Sequence, residues 1–330
     1  MIGYKGKRAV VTGGLGFIGS NLAIALAEAG AIVDVIDSCV ESCGANEHNL
    51  DGAQGEIHVH RVDVAETLVV EPLVREADFI FNLAGEISHT DSMKRPERDL
   101  QINTVSQLHF LECCSRRAIP PRIVFASTRQ IYGIPQTLPV DENHPVEPVD
   151  YNGVHNYAAE HYHWLLSRLG RIDAVILRLT NVYGQRQALH LPAQGVLGVF
   201  LRQALEGQRM RLFGDGLQLR DPIHVSDAVR AFLLAGLATV KERVINIGSG
   251  APVSLREIAG LLSEEVGLPA PELIPFPEEY KRIDIGDYYS CIDRARAMLG
   301  WQPAMDLSEG LRETLDFYRT RRAEYYLKST

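Results

Sequence analysis

Three glycines, Gly13, Gly16 and Gly19, lie between the β-branched run Arg8-Ala9-Val10-Val11-Thr12 and a helix-length stretch over 20–29, and they constrain this chain more than any other feature. A Gly-x-x-Gly-x-x-Gly turn is informative only in that strand-to-helix setting. There the first glycine permits a tight turn, the second lets backbone amides approach a pyrophosphate, and the third lets helix and strand pack closely. The N-terminus of the helix adds partial positive charge where the phosphates would sit. Phe17 and Ile18 fall inside the same turn. A second strand, Ala31-Ile32-Val33-Asp34-Val35-Ile36-Asp37, ends on an acid a little over twenty residues beyond Gly13. A carboxylate at Asp37 can accept both ribose hydroxyls of an adenosine and would repel a 2′-phosphate. Ser38, Cys39, Val40 and Glu41 bring no basic partner, so the expected cofactor is NAD(H) rather than NADP(H).

The strand-then-helix rhythm continues. Ile57-His58-Val59-His60-Arg61-Val62, Phe79-Ile80-Phe81-Asn82-Leu83, Arg122-Ile123-Val124-Phe125-Ala126-Ser127 and Ala174-Val175-Ile176-Leu177-Arg178-Leu179 are short apolar runs separated by helix-length stretches. Runs without polar alternation need cover on both faces, which predicts an α/β fold with a Rossmann-like, doubly wound parallel sheet. Beyond Asn181 prolines and glycines cluster and the helical stretches shorten, which predicts a smaller C-terminal substrate-binding α/β lobe closing over the carboxyl edge of the sheet. Val244-Ile245-Asn246-Ile247 reads as a further sheet strand, so the border is interleaved. The expected division is 1–180 with about 222–250 for the NAD-binding domain, and 181–221 with 251–330 for the substrate-binding domain.

Bulk properties exclude several classes. A chain of 330 residues with 46% hydrophobic and 23% charged residues has the composition of a globular protein with a full core. A net charge of -9 with no Lys/Arg-rich block argues against nucleic acid as a partner. No apolar run reaches membrane-spanning length, and Met1-Ile2-Gly3-Tyr4-Lys5-Gly6-Lys7-Arg8 lacks the apolar core of a signal peptide. Cys39, Cys43, Cys113, Cys114 and Cys291 match no metal-ligand spacing, and their odd number fits a reducing cytoplasm. No metal is expected, and the expected location is cytoplasmic.

Six segments in order, Thr12-Gly13-Gly14-Leu15-Gly16-Phe17-Ile18-Gly19, Asp63-Val64, Asn82-Leu83-Ala84-Gly85, Ser127-Thr128-Arg129-Gln130-Ile131-Tyr132-Gly133, Arg178-Leu179-Thr180-Asn181-Val182-Tyr183-Gly184 and Arg220-Asp221-Pro222-Ile223-His224-Val225, carry a resemblance across nearly the whole chain. The chain resembles the extended short-chain dehydrogenase/reductase superfamily, in its NAD-dependent nucleotide-sugar epimerase/dehydratase branch. The resemblance implies that Asp63 and Val64 flank the adenine, that Leu83, Ala84 and Gly85 line the cofactor's diphosphate and ribose side, and that Asn103 and Asn156 also face the cofactor. Thr128 would hydrogen-bond the reacting sugar oxygen, as a hydroxyl that both donates and accepts. Arg129 and Gln130 follow it on the substrate side. Asn181, Arg220 and Arg282, with Lys281 beside it, would meet the sugar's diphosphate, where an arginine's planar fork suits phosphate. Met210-Arg211-Leu212-Phe213-Gly214-Asp215-Gly216 resembles the segment whose backbone lines the nucleobase. The two amphipathic stretches over 100–116 and 152–169 resemble the helices through which the family forms a homodimer by a four-helix bundle.

One departure stands out. The superfamily's general base is a tyrosine whose pKa is lowered by a lysine four residues later. Here the ungapped register places Asn152 and Asn156 at those positions, and neither can act as a base. Three substitutes are open: Tyr151 with His155, which share a helical face about 100° away; Tyr157 with His161, further along; or Glu86 and His89, just after the Asn82-Leu83-Ala84-Gly85 segment. The leading expectation is an epimerase acting on a nucleotide-diphosphate sugar through transient oxidation at C4. Arg129 and Gln130 replace the Asp-Glu pair of the dehydratases, which disfavours 4,6-dehydration. A dehydratase or decarboxylase with a non-standard acid and base is one alternative. A catalytically degenerate protein that binds NAD and nucleotide sugar is another.

Overall fold

Residues 2–40, 43–191, 195–240, 243–278 and 284–326 are described by the structure, a computed structural model. The apolar runs form one parallel sheet of seven strands: β1 (Arg8–Thr12), β2 (Ile32–Asp37), β3 (Glu56–Arg61), β4 (Phe79–Asn82), β5 (Arg122–Thr128), β6 (Asp173–Leu179) and the strand Val244–Ile247. Across the sheet the order is Val244–Ile247, β6, β5, β4, β1, β2, β3. Strands leave β1 first to one side and then, from β4, to the other, and that reversal opens a crevice at the carboxyl ends of β1 and β4.

The absence of polar alternation in these strands has the expected cause. Val11, Val33, Phe81, Val175 and Leu177 belong to an apolar cluster on one face with Leu22, Ala23 and Leu26 of helix α1 (Phe17–Glu28). Val10, Ile80, Ile123 and Ala174 belong to a second cluster on the other face, with Val70 and Val74 of α2 (Thr67–Glu76). Only the edge strand β3 leaves most of its side chains in solvent.

Two boundaries differ from the sequence-based expectation. Helix α1 begins at Phe17 instead of Ser20, because Gly16 already serves as its N-cap. The stretch over 100–116 is not one regular helix. α3 (His89–Lys94) and α4 (Pro96–Leu100) lead into a π-helical turn, Gln101–Val105, and only then into α5 (Ser106–Cys114). Such a turn re-aims side chains within a helix and is common at functional sites. α6 (Tyr151–Arg168) runs beside this segment and is capped by Asp150, whose side chain accepts from Gly153 N.

Beyond Asn181, the helices Gly195–Leu205, Leu255–Glu265 and Leu307–Thr320 gather a third cluster around Phe200, Leu201, Leu212, Ile258, Leu262, Leu315 and Tyr318. Three small two-stranded ribbons stitch this region: Asn181–Tyr183 with Pro222–His224, Arg211–Phe213 with Glu272–Ile274, and Leu219–Arg220 with Val253–Ser254. No helix among the described residues is long and apolar enough to cross a membrane.

Candidate active site

A cleft of about 350 Å³ lies at the carboxyl ends of the central strands, and it has two chemically distinct halves. Gly13, Gly16, Phe17, Ile18, Gly19 and Asp37 line one of them. The glycines are demanded by space. A Cβ at Gly19 would lie 2.2 Å from Gly13 O, and one at Gly13, where φ is +65°, would lie 2.8 Å from Leu83 O. α1 starts here with no side-chain cap, which leaves its first amides free for a phosphate. Asp37 Oδ2 accepts from Leu15 N at 3.0 Å and Oδ1 from Cys39 N at 2.9 Å, so the acid is tied to the glycine turn. Burial raises its pKa, with those two amides opposing. Each carboxylate oxygen keeps a further lone pair for a ribose hydroxyl.

Asp63, Val64, Leu83, Ala84 and Gly85 line the same half. Its wall hangs on a buried network. Thr12 Oγ1 accepts from Leu83 N and Ala84 N, both at 3.0 Å, and donates to Asn82 Oδ1 at 2.8 Å. Asn82 Nδ2 donates to Gln107 Oε1 at 2.7 Å and reaches His163 Nε2 at 3.2 Å, while His163 Nδ1 meets Ala159 O at 2.8 Å. Burial pushes the pKa of His163 down to about 4, so the ring is neutral and can accept from Asn82. The uncapped helix, the glycine cradle and Asp37 together fit a dinucleotide.

The other half is made of side chains from separate elements. Thr128 ends β5, and Arg129 and Gln130 begin the 3-10 turn Arg129–Tyr132; all three line the cleft. Thr128 Oγ1 accepts from Gln130 N at 3.1 Å, which leaves its own proton to donate. Gln130 Nε2 donates to Asp150 Oδ2 at 3.0 Å, and Asp150 Oδ1 accepts from Gly153 N at 2.7 Å. His89, also lining the cleft, places Nδ1 3.0 Å from Asp150 Oδ2, an ion-pair distance off the line of a hydrogen bond. Burial alone would raise the pKa of Asp150, but His89, the Gly153 amide and Gln130 outweigh it and hold the carboxylate below its usual range.

Asn152 and Asn156 both line the cleft, one turn apart on α6. Asn152 is 2% exposed; its Nδ2 donates to Glu86 O at 2.8 Å and to Asp99 Oδ2 at 3.1 Å. Asn156 Nδ2 donates to Asn152 O at 2.9 Å. Tyr151 and His155 are not brought to the cleft. Tyr151 is 44% exposed, and His155 is buried behind the wall with Nδ1 2.7 Å from Asp99 Oδ1. Their shift around the helix from the asparagines turns them away. Glu86 lines the cleft, but its carboxylate is buried, 3.2 Å from Arg98, and its pKa is raised by burial. Asn103, on the π turn, spends its amide on the Glu86 backbone: Oδ1 accepts from Glu86 N at 2.9 Å and Nδ2 donates to Glu86 O at 3.0 Å. It lines the cleft while it fixes the loop between the two halves.

Among the expected diphosphate contacts, Asn181 lines the cleft with a buried Oδ1 that has no hydrogen-bond partner among the described residues. Arg220 lies behind the wall, donating to Leu219 O at 2.8 Å and Gly286 O at 2.7 Å. Leu212 does not line the cleft; its side chain is in the C-terminal apolar cluster, 1% exposed. Arg282, like Lys281, is outside the described residues.

Sequence reasoning missed Asp150, which organises the second half. Its signal was present as an N-cap aspartate three residues before Gly153 at the start of an amphipathic stretch. It also missed Gln107, and a buried ion pair behind Thr128: Arg178 Nη2 to Glu160 Oε2 at 2.7 Å, with Ser127 Oγ donating to Glu160 and the guanidinium 4.8 Å over the Tyr132 ring.

Comparison with known proteins gives a consistent answer. The family model described as the NAD dependent epimerase/dehydratase family matches residues 9–248. A putative UDP-glucose 4-epimerase of Methanocaldococcus jannaschii is 33% identical over 312 residues, covering 94% of this chain and 98% of that protein. UDP-glucuronic acid decarboxylase 1 of Xenopus tropicalis is 30% identical over 319 residues, covering 95% of this chain and 72% of that protein. The crystal structure of UDP-glucose 4-epimerase from Thermotoga maritima with UDP-glucose superimposes with a TM-score of 0.86 at 30% identity, covering 96% of this chain and 99% of that one.

Proposed function

This chain belongs to the NAD dependent epimerase/dehydratase family, and on that premise we propose that it is a UDP-sugar 4-epimerase in which His89 replaces the missing tyrosine base. It is an NAD-dependent enzyme of nucleotide-sugar chemistry. The observation that carries the finer reading is the chain of contacts from Thr128 through Gln130 and Asp150 to His89, lining the same cleft as the glycine turn. The residues of 1–180 with about 222–250 form its NAD-binding part, and 181–221 with 251–330 its nucleotide-sugar part.

The glycine turn and Asp37 would hold NAD, which would supply a reversible hydride acceptor beside the sugar. The chain's own residues handle the proton. Thr128 Oγ donates to the reacting sugar oxygen and holds it in place. With Asp150 against Nδ1, Nε2 of His89 is the nitrogen that removes the hydroxyl proton, and the nearby carboxylate stabilises the resulting imidazolium. On return, the same nitrogen gives the proton back to the alkoxide oxygen. Asn152 and Asn156 bind and orient but cannot accept a proton at neutral pH. Arg129 and Gln130 stand where the dehydratases carry an Asp-Glu pair, and the Gln130 amide cannot titrate, which disfavours 4,6-dehydration by that acid and base.

The test is incubation with UDP-glucose, UDP-galactose and their C6-oxidised counterparts, following NADH absorbance and resolving the products. Interconversion of C4 epimers without net NADH is expected. Tight binding of all of them without turnover would overturn this reading in favour of a protein that kept both sites and lost the chemistry, as the two asparagines would allow. The exposed apolar side chains of α6, Tyr151, Val154, Trp164 and Leu165, with Leu169 at its C-terminal cap, support a homodimer through a four-helix bundle with the 100–116 segment. Light scattering that found one chain at micromolar concentration would refute the dimer. A cytoplasmic location accords with the free cysteines.

A further inference from the structure

The side chain after Thr128 has no ordinary place in the fold. Arg129 lines the cleft, yet its Nη1 is buried and has no hydrogen-bond partner among the described residues. Its guanidinium lies 4.8 Å over the ring of Tyr288, itself fully buried. A buried charge is normally paired, because desolvation without compensation is costly. The acids nearest in electrostatic influence, Asp221 and Asp284, are already committed. Asp221 accepts from Ser249 N at 2.6 Å, Gly250 N at 3.1 Å and Ser290 N at 2.9 Å. Asp284 accepts from Gln218 Nε2 at 2.6 Å and sits 3.6 Å from Arg220. Arg220 adds a like charge, and with burial as the larger cause the pKa of Arg129 falls to about 10. The site is therefore short of one anion.

We infer that Arg129 receives a carboxylate carried by the sugar, so that the preferred substrate is a nucleoside-diphosphate hexuronate rather than a neutral hexose. This rests on the reading that Thr128 holds the reacting oxygen at C4. Adjacent residues have Cα atoms about 3.8 Å apart, so Arg129 reaches groups bordering the one that Thr128 grips. In a hexuronate the carboxylate, C6, is attached to C5, the ring neighbour of C4. The diphosphate hangs from C1, across the ring. A carboxylate also matches the guanidinium fork and can accept two parallel bonds, which a hydroxymethyl group cannot. A neutral sugar would leave the buried charge unneutralised.

The experiment compares UDP-glucuronic acid with UDP-glucose, by kcat/KM and by calorimetric affinity, in the wild-type chain and in Arg129→Gln and Arg129→Lys. The wild-type chain is expected to favour UDP-glucuronic acid by about 10- to 100-fold, the range of a charge-assisted hydrogen bond. Arg129→Gln should erase that preference, weakening UDP-glucuronic acid by about 10- to 100-fold more than it weakens UDP-glucose. Arg129→Lys should keep part of it, since it retains charge and loses the fork. Equal weakening of both ligands, and of UDP alone, would place the diphosphate at Arg129 and overturn the inference. A wild-type preference for UDP-glucose would overturn it as well. The calorimetric arm reads the preference without turnover, so an inactive but selective protein would refute the epimerase and leave this inference standing. If Arg129→Gln melts far below the wild-type chain, Arg129→Lys and the wild-type preference decide.

Discussion

The two halves of the cleft are built from different materials. On the cofactor side the working groups are backbone: the Gly13-to-Gly19 turn, the uncapped start of α1, and the Leu83 and Ala84 segment held on Thr12. On the sugar side they are side chains drawn from β5, α3 and α6, joined through Asp150. A backbone site cannot be rewritten by one substitution without disturbing the fold, whereas a side-chain site can. Asn152 and Asn156 illustrate this: the usual acid-base pair is gone, yet both asparagines still line an intact cleft.

The contrast is tested most severely at His89. His89→Asn should lower kcat by about 10²- to 10⁴-fold, the usual contribution of a general base, with NAD affinity and thermal midpoint near wild type. An unchanged kcat would move the chemistry elsewhere and break the division. The converse is Gly19→Ala. Its added methyl meets the Gly13 carbonyl oxygen at 2.2 Å, so NAD affinity should fall by about 10²-fold, read by fluorescence titration. UDP binding, measured by calorimetry, should survive. Loss of both would mean that the two halves form one cooperative unit.

The same contrast decides what could be read from the chain. Glycines between a strand and a helix state their role locally, because conformation and close approach depend on neighbours in sequence. The parallel sheet was legible for a related reason: both faces are covered, so its strands lose polar alternation, as at Val10 and Val11. The sugar half was only half legible. Thr128 carried a motif, but the Asp150 that faces His89 at 3.0 Å lies on the far side of β5 in sequence, and Asn152 meets Asp99 only after folding. Tyr151 and His155 had the right spacing on the wrong face of α6. Leu212 buries its side chain in an apolar cluster, which is compatible with a role for the backbone of its segment. Where function is held by contacts between distant residues, spacing proposes several answers and only placement chooses.

The cofactor half has its own dependence on a side chain, and pH exposes it. His163 supports Asn82 beneath the Leu83 and Ala84 wall, and its pKa is lowered from 6.5 to about 4 by burial. Above pH 6.5 the ring is neutral whether the chain is folded or not, so its contribution to stability is complete. As pH falls below 6.5 the unfolded chain takes the proton first, and stability is lost progressively until the folded pKa is reached. The loss attributable to this residue is roughly 2–3 kcal/mol between pH 7.5 and pH 4, measured by urea unfolding. His163→Gln should flatten that slope. His224, also lowered to about 4 by burial, should leave a remaining slope. A wild-type stability independent of pH over this range would show that the network tolerates a charged ring.

The smallest effect belongs to the boundary between the halves, and it sharpens the comparison most. Asn103 grips both the amide and the carbonyl of Glu86, but the carbonyl also accepts from Asn152, so only the amide would be left without a partner in Asn103→Ala. One unsatisfied buried amide costs on the order of 1–2 kcal/mol, a drop of a few degrees in thermal midpoint. If the boundary is structural, NAD affinity and kcat should each fall, by about tenfold or less, because the loop from Ala84 to His89 carries the cofactor wall at one end and the proposed base at the other. If only NAD affinity falls, Asn103 belongs to the cofactor half alone, and the base is positioned by Asp150 without help from the loop.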